Sequence, residues 1–516
     1  MSGFAAKKLV VFVCPLIVFV CIILIFGIND GKVVYQPASQ PDLVARVQDV
    51  LVVNNEDPNV DNIPEVEEVV EEDGLAQLIS NLQIGDDQVK KTADSAASDI
   101  GDFASAEFSN GDGDGDGHEN GTGDITDVAP ITTELDHREI FSLSTKNRKY
   151  FPLKFGNHIV YNPNILPHPT KHDTWIIAGQ HEGSCEKHVD LEEMVCDAIF
   201  WEDVLSCITP PTLLPVEPSI QGTCEGDLAV LNLQYGPRDA RVFYGPSAPY
   251  ILYGSQSIFT CISIWLQDVR MLLEDFRLEQ LALSKIFERA TEVERPMPYK
   301  EMEKNFFLFW DSQEQMYAHY DIFPNRVFAQ LSANGSIGPD LATAAEFSDK
   351  MCMAKYLPTV GPDRESLHQA TNSLSITLCK RVDSSCVPND SNTFIITIFH
   401  KKVSKDYHPV YEPYVMLLQR DAPFAIHAIS QRPLWISGRG PFTNESGSIL
   451  WKDQEPPKGH TEMFYMTSMS WKSHVQKYHG HIDDDLFLAF GIEDSKAGAV
   501  DLKAGDLLQD LAYCAN

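Results

Sequence analysis

Short apolar or aromatic runs recur along the chain from about residue 137, and Gly, Pro, Asn or Asp bounds each of them. The clearest runs are 158–161, 175–178, 228–233, 250–253, 306–310, 394–399, 414–418, 462–466 and 486–490. Many short strands separated by turn residues are typical of a sandwich, a barrel or a propeller. Because the runs recur in pairs over several hundred residues, the pattern favours a β-propeller of several blades.

One stretch follows a different pattern. Between residues 264 and 291, Leu, Phe and Ile recur at three- and four-residue steps among charged residues. This period is that of an amphipathic helix. We therefore expect an all-β domain with one helical insertion.

The N-terminus has the pattern of a membrane anchor. Lys7 and Lys8 precede residues 9–28, a run of twenty residues without a charge. That length suits a membrane-spanning helix, whereas a signal peptide has a shorter apolar core and a small-residue cleavage site. Because the lysines come before the run and Asp30 after it, the positive-inside rule predicts a type II protein. Its cytoplasmic tail would be 1–8, its anchor 9–28, and all later residues would be lumenal.

Residues 29–136 differ in composition from the rest of the chain. Between residues 41 and 136 there are 25 acidic residues and only three basic ones, so this stretch supplies −22 of the net charge of −34. Such a segment cannot bury enough apolar surface to fold, and its charges repel one another. It is predicted to be a disordered stalk. The remaining chain is only mildly acidic, so no nucleic-acid partner is indicated.

Cysteines and glycosylation sequons agree with a lumenal domain. Nine of the eleven cysteines lie beyond the predicted anchor, where an oxidising compartment would let most of them pair. Cys379 and Cys386 are close enough for a local bridge, and a cluster is formed by Cys185, Cys196, Cys207 and Cys224. Sequons begin at Asn120, Asn334, Asn389 and Asn444.

The first candidate for chemistry is Asp239, which stands between Arg238 and Arg241. Neighbouring cations keep a carboxylate ionised, so that it can accept a proton from a hydroxyl group. An arginine beside it can contact a phosphate or a sugar oxygen bidentately. The alternative is a surface turn held by an Arg–Asp pair.

Two later segments carry further candidates. Glu303, Lys304 and Asn305 precede the aromatic run 306–310, although a lysine there could simply protect a sheet edge. The segment 479–485 gathers imidazoles and carboxylates that could hold a divalent cation, or it is a polar turn. Residues 491–494, Gly-Ile-Glu-Asp, are predicted to form a turn that carries an inward-facing carboxylate, and Asp494 is a candidate site residue.

In this order the segments resemble the fungal β-1,2-mannosyltransferases and, more distantly, the mannoside phosphorylases, which are five-bladed propellers. Residues 236–242, Gly-Pro-Arg-Asp-Ala-Arg-Val, are similar to the family pattern Gly-x-Glu-Asp-Pro-Arg-Val. Arg238 stands where the family has Glu, and Ala240 where it has Pro. The first departure changes the charge beside Asp239.

Other parts of the resemblance are spread over residues 150–515. The Glu-Lys-Asn segment at 303–305 and the Pro-Asn-Arg-Val segment at 324–327 match a family block. Residues 369–373 resemble a Gly-Ala-Thr-Pro segment of the family. The Asn-Pro pair at Asn162 is similar to the start of the first blade, and 491–494 to part of the last blade.

The resemblance implies a five-bladed lumenal catalytic domain over 137–516 and a Golgi enzyme. Its activity would be inverting transfer of β-linked, β-1,2-mannose from GDP-mannose to a mannan or other mannose-containing glycan. Asp239 would be the acid/base, while Arg241 and Lys304 would offset charge on the leaving diphosphate. Arg238, Glu303, Asn305, Asn162 and Asp494 would bind substrate.

Cofactor and activity alternatives remain open at this stage. No cofactor is indicated beyond the donor sugar nucleotide, and a divalent cation is an open alternative. A mannoside phosphorylase or hydrolase could use the same aspartate with phosphate or water. A glycan-binding propeller without turnover would need no acid/base.

Overall fold

The computed structural model describes residues 26–29, 32–35 and 136–514, apart from 185–188, 218, 220–221, 277–285, 363, 406–407 and 444–458. The chain divides into two compact units, 1–98 and 99–516. In the first unit, β1 (Phe26–Asn29) and β2 (Lys32–Tyr35) form an antiparallel hairpin.

The hairpin overlaps the end of the predicted anchor, so residues 26–28 are strand rather than helix. Gly27 and Ile28 are poor helix residues, and Ile28 pairs with Val33. The cytoplasmic tail, the remainder of the anchor and nearly all of the stalk lie outside the described residues. Among the described residues, no helix has the length and apolar character needed to cross a membrane.

The second unit begins with two short strands and an antiparallel meander. These strands are β3 (Arg138–Ile140), β4 (Phe151–Lys154), β5 (Tyr161–Pro167), β6 (Trp175–Ser184), β7 (Val189–Trp201) and β8 (Val204–Cys207). The first meander is β5–β8, and β7 also pairs with the two short strands β9 (Thr212–Leu213) and β10 (Gln234–Tyr235).

The second and third meanders follow directly in the chain. The second consists of β11 (Arg238–Tyr244), β12 (Pro249–Gln256), β13 (Ile262–Asp268) and β14 (Thr291–Glu292). The third consists of β15 (Phe307–Trp310), β16 (Met316–Asp321) and β17 (Val327–Gln330). Helix α1 (Glu346–Tyr356) then precedes the fourth meander.

The fourth and fifth meanders complete the unit. Their strands are β18 (Glu365–Gln369), β19 (Leu374–Thr377), β20 (Thr393–Lys405), β21 (His408–Gln419), β22 (Ile426–Ser430), β23 (Leu434–Ile436), β24 (Phe464–Trp471), β25 (His479–His481), β26 (Asp485–Ile492), β27 (Lys496–Lys503) and β28 (Leu511–Tyr513). The fourth meander is β19–β22, and the fifth is β24, β26 and β27. A short helix, α2 (Ala504–Leu507), follows β27.

The two ends of the second unit meet in one sheet. The last long strand, β27, pairs antiparallel with β4 from the start of the unit, and β4 pairs with β8 of the first meander. Strand β5, which opens the first meander, packs against β11 and β24, which open the second and the fifth. The opening strands of these three meanders therefore pack together, and the prediction of an all-β domain is confirmed.

Two parts of the secondary-structure prediction are wrong. The predicted helix 264–291 begins in strand β13, whose residues are nearly all buried, and continues into a 3-10 turn, Val269–Met271. A strand that is buried on both faces has no clear apolar period, so its sequence can imitate a helix. Residues 277–285 of that stretch lie outside the described residues. The predicted strand 228–233 is instead part of a 3-10 helix, Gly226–Leu233.

Four disulfides link cysteines among the described residues of the second unit. They are Cys196–Cys207, Cys224–Cys261, Cys352–Cys514 and Cys379–Cys386. The predicted local bridge between Cys379 and Cys386 is confirmed, whereas Cys185 lies outside the described residues. The sequon residues Asn334 and Asn389 are exposed, as glycosylation requires, and Asn120 and Asn444 are not described.

Candidate active site

Two β-bulges bring the polar side chains of Asn162 and Asp239 together. The register of β5 with β6 shifts between Tyr161 and Asn164, and that of β11 with β12 shifts between Arg238 and Arg241. Inside these bulges Asn162 has φ 48° and Asp239 has φ 50°. Positive φ is sparsely populated for residues other than glycine, although Asn and Asp tolerate it best. Such bulges redirect side chains and cluster at functional sites.

The carboxylate of Asp239 is fixed by neighbours from the first meander. The Asn162 amide donates to Asp239 Oδ1 at 2.9 Å, and the Asp239 backbone N–H donates to Gln180 Oε1 at 2.8 Å. Asn162 and Gln180 are buried, whereas Asp239 is exposed. The structure therefore holds an accessible carboxylate in one orientation, as a general acid or base requires.

A glycine explains how the last meander approaches this pair. A Cβ atom at Gly491 would lie 2.9 Å from the side-chain oxygen of Asn162. Only glycine lets β26 come this close, which gives a structural reason for the Gly-Ile-Glu-Asp turn. That turn places Asp494 beside Asp239.

Arg241 hydrogen-bonds to the backbone of Asp239 rather than to its carboxylate. Its Nη1 donates to the Asp239 carbonyl oxygen at 2.7 Å, and its Nε donates to the Ala370 carbonyl oxygen at 3.1 Å. Its guanidinium also lies over the Tyr465 ring, 5.7 Å from the centroid. The alternative of a simple Arg–Asp turn staple does not describe Arg241, because the buried arginine joins three meanders.

Arg238 is the second cation near the carboxylate. It is the first residue of β11, and its side chain is half-buried. Burial lowers its pKa, and the negative charges of Asp239 and Glu182 partly offset that effect. Because an arginine remains charged in any case, Arg238 supplies a permanent positive charge beside Asp239.

Positively charged side chains also lie on the side of the third and fourth meanders. Asn305, with φ 62°, accepts a hydrogen bond from the Tyr465 hydroxyl at 3.0 Å. The His368 ring stacks on Tyr465 with centroids 6.1 Å apart. Burial, followed by the charges of Lys304, Lys402 and Arg241, lowers the pKa of His368 to about 3. His368 is therefore neutral, and three cations lie near it.

Asp494 has a carboxyl group that titrates close to neutral pH. Both Glu493 and Asp494 have positive φ, and Glu493 is anchored by the Met463 backbone N–H at 2.6 Å. Desolvation by the surrounding protein, followed by the charges of Asp239, Glu493 and Glu182, raises the pKa of Asp494 to about 7. Its side chain still reaches solvent. Two neighbouring carboxylates in which one retains its proton form a typical acid/base pair.

A hydrogen-bond chain continues from Asp239 into the first meander. Gln180 donates to the Tyr161 hydroxyl at 3.0 Å, and that hydroxyl donates to Glu182 at 2.7 Å. Burial and the neighbouring Glu182 raise the pKa of Tyr161. Deeper in the protein, burial raises the pKa of Glu193 well above its usual value. These residues were not found from the sequence, since the apolar run 175–178 in β6 indicates a strand and not a site.

Glu303 occupies a supporting position. Both of its oxygens accept from Arg295 Nη1, at 3.0 and 2.8 Å, and one also accepts from the Lys300 backbone N–H at 2.7 Å. It is only 2% exposed. Of the predicted Glu-Lys-Asn trio, Lys304 and Asn305 are the members that remain accessible.

Potential metal ligands among the described residues cluster away from Asp239. The only cluster of potential ligand atoms within 4.8 Å there is His168, Asp197 and Asp275, and not the carboxylates around Asp239. In that cluster His168 Nδ1 accepts from the backbone of Thr170 and Lys171, so Nε2 carries the proton and has no free lone pair.

The segment 479–485 consists of β25, a polar turn at 482–484 and the first residue of β26. Asp484 pairs with Arg381 at 2.7 Å, and His479 hydrogen-bonds to the Thr377 hydroxyl at 2.8 Å. Its side chains are therefore used in joining β25 to its neighbours, which favours the turn interpretation over a cation site.

Comparisons with known proteins return weak structural similarities. No protein-family model matches the sequence, and no curated protein matches it. Among solved structures, a β-1,2-mannobiose phosphorylase from Listeria innocua matches with 10% identity and a TM-score of 0.38, covering 74% of this chain and 94% of the other. An arabinanase from Bacillus subtilis matches with 11% identity and a TM-score of 0.32, covering 69% and 98%. Scores of this size establish neither a family nor an activity.

The raised pKa of Asp494 predicts an effect on stability. The folded protein keeps the Asp494 proton to a higher pH than the unfolded chain, so this group makes the free energy of unfolding fall as the pH rises from about 4 to about 7. Asp494→Asn should therefore raise the melting temperature most at about pH 8 and least at about pH 4. Thermal melts at both pH values test this, with the exposed Asp173→Asn as control. An equal change at both pH values would contradict it.

Proposed function

We propose that this chain is an inverting enzyme that exchanges a mannosyl group between a glycan and a phosphate-bearing partner. The observation that carries the proposal is the placement of the fixed carboxylate of Asp239 beside a set of cations. Asn162 orients the carboxylate, while Arg238, Lys304 and Lys402 place positive charge on two sides of the site. A carboxylate next to cations suits a reaction that moves a proton at one oxygen and a phosphate at another.

Transfer from GDP-mannose is the form of the reaction that we favour. Asp239 would take the proton of the acceptor hydroxyl, directly or through a sugar hydroxyl, as that oxygen bonds to C1. The C1–phosphate bond would break at the opposite face, and GDP would leave with the bonding electrons. Lys304 would stabilise the charge that develops on the diphosphate. In phosphorolysis the same groups act in reverse, with inorganic phosphate attacking C1 and Asp239 returning a proton to the departing glycan.

The fold and the location are part of the same proposal. We take the five successive meanders, from β5–β8 to β24, β26 and β27, as the blades of a β-propeller with the site at its central opening. The four disulfides and the exposed sequons Asn334 and Asn389 support an oxidising lumen. With the anchor and the stalk predicted from the sequence, these features favour a type II membrane enzyme of the Golgi.

Hydrolysis is a second candidate, and Asp494 is the observation that favours it. Its raised pKa leaves it partly protonated at neutral pH, so it could protonate a departing glycosidic oxygen. Asp239 would then act as the base that removes a proton from the attacking water. Two carboxyl groups with these roles are the usual machinery of inverting glycosidases.

Product analysis separates these reactions. The purified protein is incubated with β-1,2-mannobiose and one of three partners: GDP-mannose, inorganic phosphate or water alone. Transfer gives a longer oligosaccharide and GDP, phosphorolysis gives mannose-1-phosphate, and hydrolysis gives mannose. If the folded protein leaves the substrate unchanged in all three mixtures but still binds it, the glycan-binding alternative is correct.

Lys304→Ala should weaken the use of the phosphate-bearing partner more than that of the glycan. Losing a charge-assisted contact costs roughly 1.5–3 kcal/mol, or about a ten- to hundredfold rise in the KM for that partner. Initial rates measured against each substrate in turn give the two constants. Lys300→Ala is the matched control, since Lys300 is paired with Asp321 at 2.6 Å. If the KM for the phosphate-bearing partner is unchanged, Lys304 is an edge-protecting residue.

A further inference from the structure

A groove opens beside the candidate site, between the third and the fourth meanders. Its volume is about 320 Å³, within the lower range of ligand pockets. Its walls include Lys304, Asn305, Tyr320, Phe323, Pro324 and His368. Because Asn305 and His368 also contact Tyr465 in the site, the groove adjoins it. We call it the Phe323 groove.

The strand register shows where the groove leads. Asn305 lies just before β15, and Phe307 of β15 pairs with His319 of β16. The residues that follow β16, Ile322 and Phe323, therefore lie at the same end of the sheet as Asn305, one strand further along. The groove thus extends from Asn305 at the site toward Phe323.

The segment that carries Phe323 is held firmly on both sides. Ile322 before it is buried, and Arg326 after it pairs with Asp349 at 2.6 Å and donates to the Phe424 carbonyl oxygen at 2.9 Å. Between these anchors the Phe323 ring is 41% exposed. A large aromatic ring fixed at the edge of a cavity has apolar surface available for a ligand.

The charged groups of the groove are mostly neutralised by their neighbours. Asp321 pairs with Lys300 at 2.6 Å, and Glu365 pairs with Lys401 at 3.0 Å. Glu303 pairs with Arg295 as described above. Apart from Lys304, at the end nearest the site, the walls are polar but charge-balanced. Such walls suit an uncharged ligand that has many hydroxyl groups and an apolar face, which is the chemistry of a sugar ring.

We infer that the Phe323 groove binds the sugar units of the glycan that lie beyond the reacting one, with Phe323 as the stacking platform for one of them. This inference rests on the proposed function, because it takes the glycan that reacts at Asp239 as the occupant. The inference adds a specificity for chain length to the proposed function. Longer mannan oligosaccharides bind more tightly than short ones, and Phe323 is responsible for the gain in affinity.

Calorimetric binding of linear β-1,2-manno-oligosaccharides of increasing length tests the inference without turnover. Wild-type affinity should rise with length, and Phe323→Ala should remove about tenfold from the affinity for the longest ligands while sparing the disaccharide. Phe323→Leu keeps an apolar side chain without a flat ring and should show the same loss. Phe347→Ala is the matched control, since Phe347 is 83% exposed on α1 and does not line the groove.

Three results would overturn the inference. The first is unchanged affinity of both Phe323 variants for the long oligosaccharides, the second is an equal loss for all lengths, and the third is the absence of any oligosaccharide binding. Failure of the proposed reaction gives a different result. In that case the product analysis shows no conversion, but the oligosaccharides still bind in a length-dependent way through Phe323.

Discussion

Asp239→Asn is expected to reduce turnover by about 10²- to 10⁴-fold and to leave the fold intact. The amide is nearly isosteric with the carboxylate, so its contact with Asn162 can be kept by a rotated amide. It cannot take or return a proton at a neutral pH. The loss should therefore appear in kcat for saturating substrates, which steady-state rates with either phosphate-bearing partner would show.

A matched control exists for the backbone at this position. Asp173 also has a positive φ, of 51°, and lies on an exposed turn before β6. Asp173→Asn repeats the chemical change in the same backbone conformation away from the site, and it should leave turnover unchanged. If Asp239→Asn keeps near-normal kcat, Asp239 is not the acid/base, and Asp494 becomes the first residue to examine.

The strands could be predicted from the sequence because their apolar runs are local. Trp175 to Ala178 and Phe394 to Phe399 both fall inside observed strands, β6 and β20. The bulges could not be predicted, since nothing in the residues around Asn162 or Asp239 distinguishes a bulge from a regular strand. The direction in which those side chains point depends on the bulge.

Strand β13 was predicted as a helix for a different local reason. It is buried on both faces, so its sequence does not show the two-residue period of a strand.

The candidate site was predicted only in part, for a similar reason. Asp239, Asn162 and Asp494 come from short motifs. The structure brings together Asn162 and Asp239, on the opening strands of the first and second meanders, and Asp494, in the turn after β26. Tyr465 and His368 have no local signal, because their relevance comes from contacts with Arg241 and Asn305 across the closed unit. This part of the site forms only when meanders that are distant in the sequence pack together, so no single segment of the sequence indicates it.

Glu303→Ala is expected to lower the free energy of unfolding by about 3 kcal/mol, near the low end for a broken buried ion pair. The change leaves Arg295, which is buried, without its main partner and the Lys300 backbone N–H without its acceptor. Arg295 keeps a second contact, to Asp321 at 2.7 Å, which is why we expect the lower end of the range. Denaturant unfolding followed by tryptophan fluorescence measures the loss.

Two further variants, Glu301→Ala and Glu303→Gln, decide the role of Glu303. Glu301→Ala removes an exposed carboxylate two residues earlier and should change stability by no more than about 0.5 kcal/mol. Glu303→Gln keeps the shape and one acceptor oxygen, so it should be less destabilising than Glu303→Ala. If Glu303→Ala were as stable as wild type yet lost activity, Glu303 would contact substrate directly, as the family resemblance implies. If Glu303→Ala instead loses stability and activity in proportion, Glu303 has a structural role: it holds Lys304 and Asn305 in position at the site.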